Sequence, residues 1–101
     1  MIQTQLKLPM ERIEAFCEKW KVREFALFGS ILREDFGPDS DVDVLLSFEE
    51  GSDRDWHGWA RIEEELGEIF GRKVDVVQKK NLRNPFRRHE ILTTKRVVYV
   101  R

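Results

Sequence analysis

The chain has 101 residues, of which 41% are hydrophobic and 37% charged, and it includes three Trp residues. This composition favours one folded domain around one core and excludes a disordered chain. Its apolar runs are no longer than five residues, which excludes a membrane span, and the N-terminal segment lacks the apolar centre of a signal peptide. The single Cys17 cannot form an internal disulfide, so we expect a reducing, cytoplasmic setting.

Charge is unevenly distributed, although the formal net charge is only −1. Residues 1–70 carry 8 basic and 17 acidic side chains, a net of −9. Residues 71–101 carry 10 basic and 2 acidic side chains, a net of +8. The asymmetry is consistent with an anionic partner for the C-terminal third, and equally with two solvated faces of opposite sign.

Apolar periodicity predicts an alternation of helices and strands. In chain order the predicted elements are a helix over 10–20, a strand over 24–29, a short helix over 30–35, a strand over 41–48, a helix over 54–70, a strand over 73–78, a helix over 85–94 and a strand over 96–100. Pro9 and Pro85 mark helix starts, and Gly71 marks a helix end. The order predicts an α/β (α+β) fold, a small mixed sheet of about four strands flanked by helices, as one domain over 1–101.

Acidic residues alternate with apolar ones where the second predicted strand begins. Strand side chains alternate between faces, so Asp41 and Asp43 should share one face, while Val42 and Val44 point into the core. Asp75 has the same context in the third predicted strand. If that strand pairs beside 41–48, three carboxylates gather at one place. Such a cluster suits two Mg²⁺ ions about 4 Å apart, the arrangement used for in-line displacement at phosphorus.

A Gly-Ser pair follows the first predicted strand. Gly29 would let the backbone approach a phosphate, and the amides after it would supply donors together with the Ser30 hydroxyl. Arg33 could reach a phosphate oxygen or could belong to a structural ion pair.

A calcium loop is the competing interpretation of the acidic segment. Four residues match its ligand positions, namely Asp39, Asp41, Asp43 and Glu50. The sixth position, which should be Gly for the sharp turn, is Val44, and the segment continues as a strand. This argues against the calcium loop and leaves Asp39 as a turn former.

Together these motifs resemble the nucleotidyltransferase signature of the DNA polymerase beta-like superfamily. The resemblance rests on Gly29-Ser30, ten further residues, Asp41-Val42-Asp43 and the later Asp75. The finer pattern, with Arg33 and the segment "PDSDVD", is similar to the minimal nucleotidyltransferases, the MNT-type antitoxins encoded beside HEPN-domain toxins. One departure is Glu34, where Gly often follows the Arg in such sequences.

The resemblance implies a mechanism. Asp41 and Asp43 would hold both Mg²⁺ ions, Asp75 would bind the catalytic metal and help to activate an acceptor hydroxyl, and Gly29 and Ser30 would hold the β- and γ-phosphates of ATP. The acceptor implied is a tyrosine of a HEPN toxin, which would be AMPylated and inactivated within a hetero-oligomer. The chain has no room for an acceptor domain, so we expect a separate acceptor molecule.

Three matters stay open at this stage. The chain could instead be a non-catalytic antitoxin that masks its toxin, or it could transfer nucleotide to a small molecule or to tRNA. The densest basic cluster could contact the triphosphate, the partner or RNA, or could only be solvated. That cluster consists of Lys79, Lys80, Arg83, Arg87 and Arg88.

Overall fold

The computed structural model describes residues 8–29, 40–49 and 56–101, with only the backbone described at 56 and 57. The helices are α1 (Met10–Trp20), α2 (Trp56–Phe70) and α3 (Pro85–Thr94), and a short 3-10 helix covers Lys79–Asn81. The strands are β1 (Val22–Phe28), β2 (Val42–Phe48), β3 (Val74–Gln78) and β4 (Arg96–Val100). Within these described residues, no helix combines the length and apolarity needed to cross a membrane.

The order of elements agrees with the sequence prediction, with one boundary clearly misplaced. The first strand begins at Val22, not at residue 24, and it ends at Phe28. Lys21 adopts a left-handed conformation (φ 58°) and its amide donates to the carbonyl of Cys17, so α1 stops abruptly and the strand starts at the next residue. The helix expected over 30–35 lies outside the described residues.

The four strands form one mixed sheet in the order β3-β2-β1-β4. β1 pairs antiparallel with both β2 and β4, and β2 pairs parallel with β3. The end of β1 and the starts of β2 and β3 therefore meet at the same edge of the sheet. This is the edge that carries Gly29 and the Asp-x-Asp motif.

The sheet is buried on both faces. On one face, β1, β2 and β3 pack against α1 and α2 through a core that includes Val42 and Val44, both with no exposed surface. On the other face, Ala26, Phe28 and Leu45 pack against residues near and within α3. Burial on both faces explains why β2 is continuously apolar over residues 44–46, directly after Asp43.

The two helices on the first face are joined by a polar contact. Trp20 Nε1 donates to Glu65 Oε2 at 2.6 Å, and Lys19 Nζ donates to the other oxygen of the same carboxylate. Glu65 therefore faces α1 and is only partly exposed.

Helix termini explain two further boundaries. Gly71 ends α2 with a positive φ of 69°, and its amide donates to Gly67, as its position in the sequence predicted. Asn84 caps α3 by accepting from the amides of Phe86 (3.0 Å) and Arg87 (3.1 Å), with Pro85 at the first helical position. The cap fixes where α3 begins.

Candidate active site

Asp43 lies where the end of β1 meets the starts of β2 and β3. Its register partners are Phe28 in β1 and Asp75 in β3. Residues directly opposite one another on neighbouring strands project from the same face, so the Asp43 and Asp75 side chains leave the sheet side by side. Asp43 is half-buried, while Asp75 is exposed on the edge strand. The pairing of β3 beside β2, on which the carboxylate cluster depends, is therefore present.

Gly29 is in direct contact with the Asp43 carboxylate. A Cβ atom on residue 29 would lie 2.2 Å from Asp43 Oδ2, and the residue has a positive φ of 74°. Only glycine tolerates both conditions without strain. The absent side chain at position 29 thus leaves room for the carboxylate at the point where the chain leaves β1.

Asp41 is positioned by the loop that precedes β3. Arg72 Nη1 donates to the carbonyl oxygen of Ser40 at 3.1 Å, and Val42 N donates to the carbonyl oxygen of Lys73 at 3.0 Å. Lys73 Nζ lies 3.9 Å from Asp41 Oδ2, a partly exposed ion pair. These contacts hold the start of β2 against β3 and place a cation beside the first aspartate.

The carboxylates are neighbours, but their oxygens are not assembled as a complete ligand set. Among residues 8–29, 40–49 and 56–101, no three acidic, histidine or cysteine side chains are grouped as ligands of one metal ion. The oxygen donors have the hard character that Mg²⁺ prefers, and Asp43 and Asp75 share a face of the sheet. Ser30 and Arg33, the other predicted nucleotide-binding residues, lie outside the described residues, as does Asp39.

A cavity of about 220 Å³ opens between this edge of the sheet and α3. From the sheet it is lined by Phe28, Gly29 and Asp43. The wall that α3 contributes follows helical spacing and consists of Arg87, Glu90, Ile91 and Thr94. The predicted phosphate-binding glycine and metal-binding aspartate therefore open into one space with a helix on its far side.

The structure separates the members of the basic cluster. Lys79 Nζ lies 3.9 Å from Glu24 Oε1, and the same glutamate accepts from Lys95. Arg88 directs Nη1 at the carbonyl oxygens of Lys79 and Leu82, each at 3.5 Å. Of the five basic residues, Arg87 is the one that lines the cavity.

Sequence reasoning missed the part of the site that α3 contributes. Glu90 and Thr94 were not singled out, and Arg87 was one of five equivalent basic residues. The spacing of residues 87, 90, 91 and 94 is a helical stripe, but Ile91 is the only buried residue in α3. With one buried position, the apolar periodicity of the α3 sequence is too weak to predict which face of the helix packs against the sheet.

Residues 10–98 match the family model described as a nucleotidyltransferase domain. The chain therefore belongs to the nucleotidyltransferase domain family. A relative from Thermococcus cleftensis, named protein adenylyltransferase MntA, is 39% identical over 67 residues, which is 66% of this chain and 66% of the relative.

Solved structures share the fold at lower identity. A toxin–antitoxin crystal structure with AMP-PNP superposes with a TM-score of 0.75 at 17% identity, covering 93% of this chain and 75% of the other. The complex of a tri-AMPylated Shewanella oneidensis HEPN toxin with its MNT antitoxin gives a TM-score of 0.66 at 16% identity, covering 91% and 70%. A structure described as a putative minimal nucleotidyltransferase gives a TM-score of 0.70 at 31% identity, covering 86% of each chain. The mixed four-stranded sheet of this chain is thus the fold found in minimal nucleotidyltransferases, as the sequence resemblance predicted.

Proposed function

We propose that this chain is an antitoxin that transfers AMP from ATP to a tyrosine hydroxyl of a HEPN-domain toxin and so inactivates it. The observation that carries the proposal is the register pairing of Asp43 with Asp75 beside Gly29, within a nucleotidyltransferase domain. The name of the Thermococcus relative supports protein adenylylation, and the likeness to toxin–antitoxin complexes supports a HEPN toxin as acceptor. The complex with the toxin would form in the cytoplasm.

Asp41, Asp43 and Asp75 are the proposed metal ligands. Their carboxylates are suitable donors for Mg²⁺, and metal binding would compete with the ion pair between Asp41 and Lys73. When bound, two Mg²⁺ ions would neutralise the phosphate oxygens and stabilise the attacking and leaving oxygens of an in-line displacement.

The nucleotide would lie with its phosphates at the end of β1. Gly29 would admit the β- and γ-phosphates close to the backbone, since no side chain intervenes. Ser30 would donate its hydroxyl to the same phosphates, and Arg33 would neutralise one phosphate oxygen.

The proposed reaction is a single displacement at the α-phosphorus of ATP. The tyrosine oxygen of the acceptor forms a bond to the α-phosphorus, and the bond from that phosphorus to the oxygen bridging the β-phosphorus breaks. Pyrophosphate leaves with the bonding electrons. Asp75 would receive the hydroxyl proton, and its exposure on the edge strand supports this role for an acceptor that approaches from solvent.

Turnover distinguishes this enzyme from an antitoxin that only masks its toxin. Wild-type chain at a substoichiometric amount, with ATP and Mg²⁺, should inactivate the purified toxin and raise its mass by one or more AMP groups. The double variant Asp41→Ala/Asp43→Ala should fold, yet fail to protect cells that express the toxin at an equal level. Protection by the double variant equal to wild type, with no change in toxin mass, would establish masking instead.

The metal requirement is tested by nucleotide binding alone. Calorimetry should show much tighter binding of ATP with Mg²⁺ than with a chelator, because the site presents carboxylates to a polyanion. Equal affinity in the two conditions would eliminate the two-metal proposal while leaving the fold assignment intact.

A further inference from the structure

The α3 wall of the cavity contains the guanidinium of Arg87. The guanidinium of Arg87 makes no hydrogen bond or ion pair to any residue in the described parts of the chain, while its backbone amide donates to the Asn84 side chain. Arg88, its neighbour, is directed at two carbonyl oxygens, and Lys79 is paired with Glu24. Arg87 therefore lines the cavity with a positive charge that is not paired with any described residue.

Among the described residues that line the cavity, three carry a charge. Asp43 and Glu90 contribute carboxylates, and Arg87 contributes the one cation of that described lining. Glu90 would repel an anionic ligand that enters between Gly29 and α3, and the guanidinium of Arg87 would offset that repulsion. A guanidinium presents several fixed N–H donors and can bind two oxygens of one phosphate at once.

Helical geometry holds Arg87 on this side. Arg87, Ile91 and Thr94 lie at intervals of four and three residues, and Ile91 is buried against the sheet. Burial of Ile91 fixes the rotation of α3, and the Asn84 cap fixes its first turn. The guanidinium is therefore presented to the cavity by a rigid element.

We propose that Arg87 binds the phosphate chain of the nucleotide from the α3 side of the cavity, opposite Gly29. The inference rests on the proposed nucleotidyl transfer and adds to it a phosphate contact from the last helix of the domain. The remaining basic residues of the cluster are not needed for this contact.

Nucleotide binding without acceptor tests the inference. For Mg·AMP-PNP, Arg87→Ala should raise the Kd about tenfold to a hundredfold, the usual range for one charge-assisted contact. Arg87→Lys keeps the charge but loses the paired donors, so its Kd should be intermediate. Arg83→Ala is the matched control, because Arg83 is exposed, belongs to the same cluster and does not line the cavity. It should bind like wild type.

The length of the phosphate chain supplies a second readout. The ratio of variant to wild-type Kd should be largest for ATP, smaller for AMP and absent for adenosine, whereas a general disturbance of α3 would affect all three. Thermal melting of each variant should match wild type. Equal Kd values for Arg87→Ala and Arg83→Ala, or an equal loss for adenosine, would overturn the inference and leave the proposed function standing. If wild type itself bound no Mg·AMP-PNP, both would be overturned.

Discussion

Gly29 and Asp43 occupy the same small space: a Cβ on residue 29 would lie 2.2 Å from the Asp43 carboxylate oxygen. We therefore expect Gly29→Ala to displace Asp43 and lower nucleotide transfer at least tenfold. Because residue 29 has a positive φ, the alanine should also lower the free energy of unfolding by about 1–2 kcal/mol. Activity assays and chemical denaturation of the variant measure the two effects separately.

Gly71→Ala is the control for that variant. Gly71 also has a positive φ, of 69°, but a Cβ there would meet nothing within 4 Å. Its stability should fall by a similar amount while transfer activity stays near wild type. Comparable loss of activity in both variants would mean that backbone strain, not contact with Asp43, is responsible.

Asp43→Asn should separate catalysis from folding. The substitution keeps the shape of the side chain, removes a strong metal ligand and relieves repulsion from Asp75, its register partner. We expect transfer activity to fall by orders of magnitude, while the melting temperature without metal is unchanged or raised. Glu63→Gln, on the exposed side of α2, alters the net charge equally and should retain activity. Near-wild-type transfer by Asp43→Asn would exclude Asp43 as a ligand.

Lys73→Met should make the site easier to load with metal. Lys73 and Asp41 are 79% and 46% exposed, so the loss of their ion pair should change the free energy of unfolding by less than about 1 kcal/mol. Removal of a cation that competes for Asp41 should lower the Mg²⁺ concentration needed for half-maximal nucleotide binding. Arg61→Met removes a positive charge from α2 and should leave that concentration unchanged. A higher Mg²⁺ requirement in Lys73→Met would indicate that Lys73 helps to bind the nucleotide.

Cys17 should make stability depend on pH in the alkaline range. Burial, followed by the charges of Glu14 and Glu18, raises the pKa of its thiol from 9.0 to about 12. Above about pH 9 the unfolded chain releases this proton and the folded chain keeps it, so the unfolded state binds fewer protons. The free energy of unfolding contributed by this group therefore falls as pH rises from 9 toward 12, by up to about 1.4 kcal/mol per pH unit.

Cys17→Ala isolates that contribution. The variant leaves a small cavity in the core, so it should be less stable than wild type at pH 7.5. The stability difference measured by denaturation should shrink as pH rises above 9, because only wild type loses the thiol contribution. A difference that stays constant from pH 7.5 to 11 would contradict the raised pKa.

Local sequence alone determined most of the elements and the principal residues of the candidate site. The alternation around Asp41 and Asp43 predicted a strand with two carboxylates on one face, and the same pattern located Asp75. These inferences needed only the two-residue period of a strand and the chemistry of carboxylates. The abrupt start of β1 at Val22 was missed, because a left-handed Lys21 carries no sequence signal comparable to glycine.

Tertiary structure decided which distant residues share the site. The pairing of Asp43 with Asp75 depends on β3 adding parallel to β2, across an intervening helix, and no local pattern specifies that register. The position of Arg87 on the cavity depends on the rotation of α3, which the burial of Ile91 against the sheet fixes. The periodicity of the sequence predicts which face of a helix or strand is apolar. Which other element packs against that face depends on contacts between residues that are distant in the sequence.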